Sequence, residues 1–153
     1  MSVLYDILNH TRSIAIYRLF SVTNHEFVLW ALDNQSMIKR LLTEIYQIGN
    51  KTVYILNNKY HREDGPAVDL PNYKEYFIHG VNHRDGDEPA IDYPHLKMWY
   101  KNGLQHREQD LPAIIGRSTQ IYMRNNRKHR GNGLPAVITP YAKEWWVDGV
   151  RIK

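Results

Sequence analysis

Trp99-Tyr100-Lys101-Asn102-Gly103-Leu104-Gln105-His106-Arg107-Glu108-Gln109-Asp110-Leu111-Pro112-Ala113-Ile114-Ile115 is the stretch that decides the fold, because each of its landmarks recurs along the chain. His-Arg stands at His61-Arg62, His83-Arg84, His106-Arg107 and His129-Arg130, and a Pro-Ala pair follows each, at Pro66, Pro89, Pro112 and Pro135, spaced 23, 23 and 23 residues apart. Upstream lie aromatic or apolar pairs, Tyr54-Ile55, Tyr76-Phe77, Trp99-Tyr100, Tyr122-Met123 and a fifth, Trp145-Trp146. A recurring unit of this size is a repeat, and repeats are to be sought before any other feature.

Between each aromatic pair and its His-Arg sits a turn dipeptide: Asn57-Asn58, His79-Gly80, Asn102-Gly103, Asn125-Asn126 and Asp148-Gly149. Asn-Gly and Asp-Gly tolerate positive φ at both central positions, which a two-residue type I′ hairpin requires, and Asn-Asn is a poorer version of the same chemistry. Each unit is therefore expected to be a β-hairpin, with the aromatic pair on its first strand and His-Arg on its second. A short strand should follow each proline, where a missing N–H is tolerated. Links such as Leu70-Pro71-Asn72 and Tyr93-Pro94-His95 turn the chain toward the next unit. One hairpin cannot bury its apolar side in water, so neighbours must share a core and the ends need caps.

Residues 1–50 are expected to supply that cap as helices. Leu4, Ile7, Leu8, Thr11, Ile14, Ala15 and Leu19 fall at helical spacing, and Thr23-Asn24-His25-Glu26 matches a capping box. A second helix would then run through Phe27, Trp30, Leu41, Ile45 and Ile48 to an αL stop at Gly49-Asn50. The fold class expected is mainly β, a tandem hairpin sheet over residues 51–153 behind a helical module that offers a surface for homo-oligomers.

Composition narrows the function classes. An apolar content of 42% with 24% charged residues fits a folded globular chain. Eleven Tyr among the aromatics favour half-buried sheet positions, where the hydroxyl reaches solvent. The absence of cysteine rules out a disulfide framework and a thiolate metal site. No stretch reaches the length of a membrane span, and Asp6, Arg12 and Arg18 interrupt any secretory core, so the chain is expected to be cytoplasmic. Of the +4 net charge none comes from residues 1–50, where four basic residues balance four acidic ones. The excess sits in the repeats and offers Arg117, Arg124, Arg127, Lys128 and Lys143 as a basic surface for nucleic acid or anionic membrane.

The copy His61-Arg62-Glu63-Asp64-Gly65-Pro66-Ala67 resembles the motif of variant MORN-type repeats, best known from proteins of large DNA viruses and some phages. The resemblance covers residues 53–153. It implies a twisted sheet of hairpins and a role in protein interaction, scaffolding or lipid contact, with a virion or an infected cell's cytoplasm as the setting. Copies depart from the pattern: Gln109-Asp110-Leu111 lacks glycine, and Gly131-Asn132-Gly133-Leu134 lacks the acid.

A catalytic group needs one particular surrounding, whereas a residue present in every period answers a need present in every period. The recurring His61, Arg62, His83, Arg84, His106, Arg107, His129 and Arg130 are therefore read as structural, His between hairpins and Arg on loop carbonyls or a turn Asp. A hydrolase or nuclease acting through these histidines is the less favoured alternative. No catalytic residue, metal, cofactor or small-molecule ligand is assigned. Alternation along a strand sends one member of each aromatic pair to the core and leaves the other for a binding stripe, for which Tyr54, Phe77, Tyr100 and Trp146 are the candidates. The expected activity is non-enzymatic docking of a protein partner.

Overall fold

The computed structural model describes Asp33, which is helical, and residues 43–153. The helix expected over 2–20 and the part of the second expected helix that precedes Thr43 lie outside the described residues, apart from Asp33. Of the two compact units into which the chain divides, Met1–Glu44 and Ile45–Lys153, the second holds all the repeats.

After β1 (Glu44–Ile48), the first repeat comprises β2 (Lys51–Leu56), β3 (Lys59–Tyr60) and β4 (Val68–Leu70). The second comprises β5 (Tyr73–Glu75), β6 (Phe77–Ile78), β7 (Val81–Asn82) and β8 (Ile91–Tyr93). The third has β9 (Leu96–Met98), β10 (Tyr100–Lys101), β11 (Leu104–Gln105) and β12 (Ile114–Gly116). The fourth has β13 (Gln120–Ile121), β14 (Met123–Arg124), β15 (Arg127–Lys128) and β16 (Val137–Ile138). The fifth has β17 (Lys143–Glu144), β18 (Trp146–Val147) and β19 (Val150–Arg151).

Instead of one sheet of hairpins, the repeats build an antiparallel meander from which hairpins branch. The meander runs β1-β2-β4-β5-β8-β9-β12-β13-β16-β17, while β6–β7, β10–β11, β14–β15 and β18–β19 form separate two-stranded ladders and β3 pairs with the far half of β2. Only β2 passes unbroken through its aromatic pair. In the later units the strand breaks at the first aromatic, Tyr76, Trp99, Tyr122 or Trp145, and His-Arg comes just after the second strand rather than on it.

Two kinds of turn alternate, each set by residue chemistry. All five hairpin turns hold both central residues at positive φ, from Asn57 at 51° and Asn58 at 59° to Asp148 at 48° and Gly149 at 87°, as type I′ geometry demands. At the other end of the strands the links close as two-residue turns, with Leu70 opposite Tyr73 and Tyr93 opposite Leu96. Pro71 and Pro94 stand first in two of them, and a ring that locks φ near −65° is compatible with a type I turn but not with I′.

β1 corrects the expected helix end and the expected boundary at residue 51. Glu44–Ile48 is a strand hydrogen-bonded to β2, so the sheet begins at residue 44, and Gly49, at φ 61°, opens a turn between strands rather than stopping a helix. Ile45 and Ile48 satisfy a helical period, but a segment of β-branched and aromatic residues beside an open edge of β2 gains ladder bonds by extending.

Pairing puts Val53, Val68, Glu75, Ile91, Met98, Ile114, Ile121, Val137 and Glu144 directly opposite one another in one row across the meander. On the opposite face Lys74 bridges to Asp69 at 2.6 Å and Lys97 to Asp92 at 2.7 Å. The core is thin. Ala67, Ala90, Ala113 and Ala136 are each 0% exposed and, with Val53, Leu56, Val68, Trp99, Tyr122 and Val137, make up its buried apolar part among the described residues. The alanine is locked at both backbone groups: Ala90 N–H donates to the Met98 carbonyl at 2.9 Å and its carbonyl accepts from Tyr76 N–H at 2.8 Å. Any larger side chain there would force strands apart.

Candidate functional site

The recurring arginine sits over the first aromatic of its own unit. The guanidinium carbon of Arg62 sits 4.0 Å from the Tyr54 ring centre, Arg84 3.9 Å from Tyr76, Arg107 3.7 Å from Trp99 and Arg130 3.7 Å from Tyr122. Each arginine also donates through Nη1 to the carbonyl of its unit's proline, Pro66, Pro89, Pro112 or Pro135, at 3.1 to 3.4 Å. Planarity and a fixed fork of donors let one side chain make both contacts, which a lysine cannot do.

Its carboxylate partner depends on loop length. Arg107 takes both oxygens of Asp87 from the preceding unit, at 2.7 and 2.8 Å, and Arg130 takes Asp110 at 3.1 Å. In the first unit the loop from Arg62 to Pro66 is one residue shorter than its counterparts, and Asp64 turns back on Arg62 of the same unit at 2.7 Å. Arg84 is left with Glu88 at 3.8 Å. The Arg107 guanidinium holds the Asp87 carboxyl below its ordinary range, and Arg124 does the same to Asp148 at 2.6 Å.

The recurring histidine joins one unit to the next. Nδ1 of His61 accepts the N–H of His79 at 3.1 Å, Nδ1 of His83 that of Asn102 at 3.0 Å, and Nδ1 of His129 that of Asp148 at 3.1 Å. An accepting Nδ1 leaves the proton of a neutral ring on Nε2, which faces Asp85 at 3.2 Å in His83 and Glu63 at 3.6 Å in His61. The second turn residue adds a backbone bond: Gly80 N–H to Tyr60, Gly103 to Asn82, Asn126 to Gln105 and Gly149 to Lys128, at 2.8 to 3.0 Å. His106 departs from its equivalents, since its Nδ1 is buried with no hydrogen-bond partner among the described residues. There the following turn is Asn125-Asn126, and Asn126 clamps Gln105 twice, accepting its N–H on Oδ1 at 2.6 Å and donating to its carbonyl at 3.0 Å. The only trace of this exchange in the amino-acid order is Asn126 where the other following turns have Gly.

A cleft of about 250 Å³ opens between the second and third loops, lined by His83, Asp87, Trp99, His106, Arg107 and Gln109 among others. Its charged groups are already engaged with one another, as the Arg107–Asp87 and His106–Glu108 pairs show. Trp99 Nε1 is buried there with no hydrogen-bond partner among the described residues, whereas Trp145 Nε1 donates to the Gly133 carbonyl at 2.9 Å. Among the described residues no group of three or more His, Asp or Glu is placed to hold a metal ion.

The candidate stripe separates into two rows. Tyr54 belongs with Tyr76, Trp99, Tyr122 and Trp145 on the face covered by cations, while Phe77, Tyr100 and Trp146 share the other face with Met123. This second row lies on the same face as the apolar row of the meander: Tyr100 OH reaches Met98 Sδ at 3.7 Å, and Trp146 Nε1 donates to Glu144 at 2.8 Å. Tyr60 and Phe77 rings from neighbouring units pack at 5.2 Å. Nearby, Tyr93 donates its hydroxyl to Glu75, and burial together with that bond pushes the Tyr93 phenol up to about 12. Phe77, Tyr100, Met123 and Trp146 are all half-buried, so each has surface left to cover.

The basic candidates do not form one patch, although three of them share the β14–β15 hairpin. Arg117 lies in a link, Arg124 and Arg127 face each other near a hairpin tip at the opposite end of the strands, Lys128 lies on the Trp146 face, and Lys143 is on β17. Two are engaged, Arg124 by Asp148 and Lys128 by Glu144 at 3.7 Å. The chain matches no family model, no curated protein and no solved structure.

Proposed function

We propose that this protein is a non-enzymatic repeat scaffold whose Phe77, Tyr100, Met123 and Trp146 face docks a protein partner. The observation that carries the reading is a contrast between faces. The recurring arginines are engaged within their own units and, at Arg107 and Arg130, also across to the preceding one, and three of the four recurring histidines join one unit to the next, whereas the second row stays half-buried in register. Successive units add two strands, so these side chains recur about every 10 Å, a ladder of shallow apolar contacts fitted to an elongated partner surface. With the repeat motif's resemblance to MORN-type units, the reading extends to a viral protein acting in the infected cytoplasm or the virion. Among the described residues no helix is long and apolar enough to cross a membrane.

The test is a photo-crosslinking amino acid placed at Tyr100, or at Lys97 on the opposite face, in the full chain within its native setting. Protein adducts from position 100 and none from 97 are expected. Equal labelling from both sides would remove the assignment. A second reading, binding to nucleic acid or anionic membrane, draws on one observation: residues 114–153 carry eight Lys+Arg against two Asp+Glu, while 43–113 carry eight against eleven. It requires binding that collapses between low and moderate salt.

A further inference from the structure

Across each hairpin, the residue facing the docking row changes along the array. It is Tyr60 opposite Ile55, Asn82 opposite Phe77, Gln105 opposite Tyr100, then Lys128 opposite Met123 and Arg151 opposite Trp146. The same structural position is neutral in three units and cationic in the last two. The ammonium of Lys128 lies 4.4 Å from the Trp146 ring centre. Glu144 stands between the two cations, 3.7 Å from Lys128 and 3.8 Å from Arg151. Its carboxylate is held ionised below its ordinary range, first by the Trp146 indole N–H and then by attraction to Arg151 and Lys128. One carboxylate against two cations leaves the patch positive, and the Lys128 and Arg151 side chains are 38% and 56% exposed.

Resting on the docking reading above, we propose that the fourth and fifth units receive an acidic protein segment, an apolar side chain against Met123 and Trp146 with a carboxylate on each side meeting Lys128 and Arg151. Charge complementarity selects the occupant. A nucleic acid strand would bring phosphates against the fixed Glu144 carboxylate, and the exposed Arg117, in the β12–β13 link, and Arg127, at the β14–β15 hairpin tip, stand at opposite ends of their unit. A second copy of the chain would have to offer its acidic units, yet Asp87 and Asp110 there are tied to Arg107 and Arg130. An intervening apolar residue between spaced carboxylates avoids both conflicts and uses the exposed part of the indole.

The experiment selects 16-residue random peptides on phage against the full chain and against a Lys128→Glu/Arg151→Glu double variant. Selection on the parent should enrich peptides with Asp or Glu flanking an aromatic or aliphatic residue. A synthetic peptide of that consensus should bind at least tenfold more weakly to the double variant, and several-fold more weakly at high salt. If charge reversal unfolds the chain, Lys128→Gln/Arg151→Gln replaces it with the same expectation in smaller degree. Enriched peptides without acidic excess, or affinity unchanged in a folded variant, would overturn the acidic assignment. If those peptides still needed Phe77 and Tyr100, the docking face itself would stand. Preference for oligouridylate, for phosphatidylserine vesicles or for a second copy of the chain over every peptide would sink both.

Discussion

At the scale of single residues, the arginine of each unit does the work of three contacts, and its neighbours decide how much each is worth. Arg107 stacks on Trp99, bonds the Pro112 carbonyl and grips Asp87 with two donors, while Arg84 makes the first two contacts and reaches only Glu88 at 3.8 Å. Arg107→Ala should therefore lower the free energy of unfolding by about 2 kcal/mol, and Arg84→Ala by less, in urea titrations read by tryptophan fluorescence. Equal losses would show that the carboxylate contributes nothing. The same pair fixes the sign of a pH effect. Because Arg107 depresses the Asp87 carboxyl in the folded state, its contribution is full above the unfolded value and fades as pH falls through the folded one. The melting temperature should then drop below about pH 4, and Asp87→Asn should flatten part of that drop. A variant with the parent's full acid slope would count against the coupling.

At the scale of the hairpin, the turn dipeptides show that one local geometry can be reached with unequal ease. Asn57-Asn58 and Asn125-Asn126 hold four non-glycine residues at φ between 50° and 64°, which glycine would adopt with less strain. Asn58 makes no side-chain hydrogen bond among the described residues, so Asn58→Gly should stabilise the protein by about 0.5 kcal/mol. Asn126→Gly frees the same strain but surrenders the Oδ1 bond to Gln105 N–H at 2.6 Å, and it should be neutral or destabilising by thermal denaturation. If both substitutions stabilised alike, the clamp on Gln105 would be of no consequence. Glycine at Gly103 serves a different end, since a Cβ there would come within 3.2 Å of Val81 in the preceding unit, so the turn is also a point of close stacking.

For the array as a whole, stability is the sum of units and junctions, units touching their neighbours through one turn N–H, at every junction but that of His106 through one histidine, and, where loop length allows, through one arginine–aspartate pair. Excising residues 84–106 would remove one period and join His83 to Arg107 with the motif intact. That shortened chain should still fold cooperatively, with a smaller urea m-value because less surface is exposed on unfolding. A product lacking β-sheet circular dichroism would refute translational equivalence. The charge contrast between residues 43–113 and 114–153 also belongs to this scale. It is invisible in any one repeat and comes chiefly from the scarcity of Asp and Glu after residue 113, to which Lys128 and Arg151, at a position the second and third units fill with Asn and Gln, add two cations.

The period, the hairpin turns and the short strand after each Pro-Ala were legible in the amino-acid order, because type I′ turns and proline impose local demands that only certain residues meet. Recurrence also marked out the rows of His and Arg in the amino-acid order, but not the partners each side chain takes. Tertiary structure alone decided the rest. It converted Glu44–Ile48 from an expected helix into a strand, since the free edge of β2 outweighs a short stretch of helical periodicity. It split the aromatic candidates between two faces, because alternation is counted from the pairing register and Tyr54 is first in its pair while Phe77, Tyr100 and Trp146 are second. It scattered the basic residues as well, since closeness along the chain does not fix which end or face of a strand a side chain occupies.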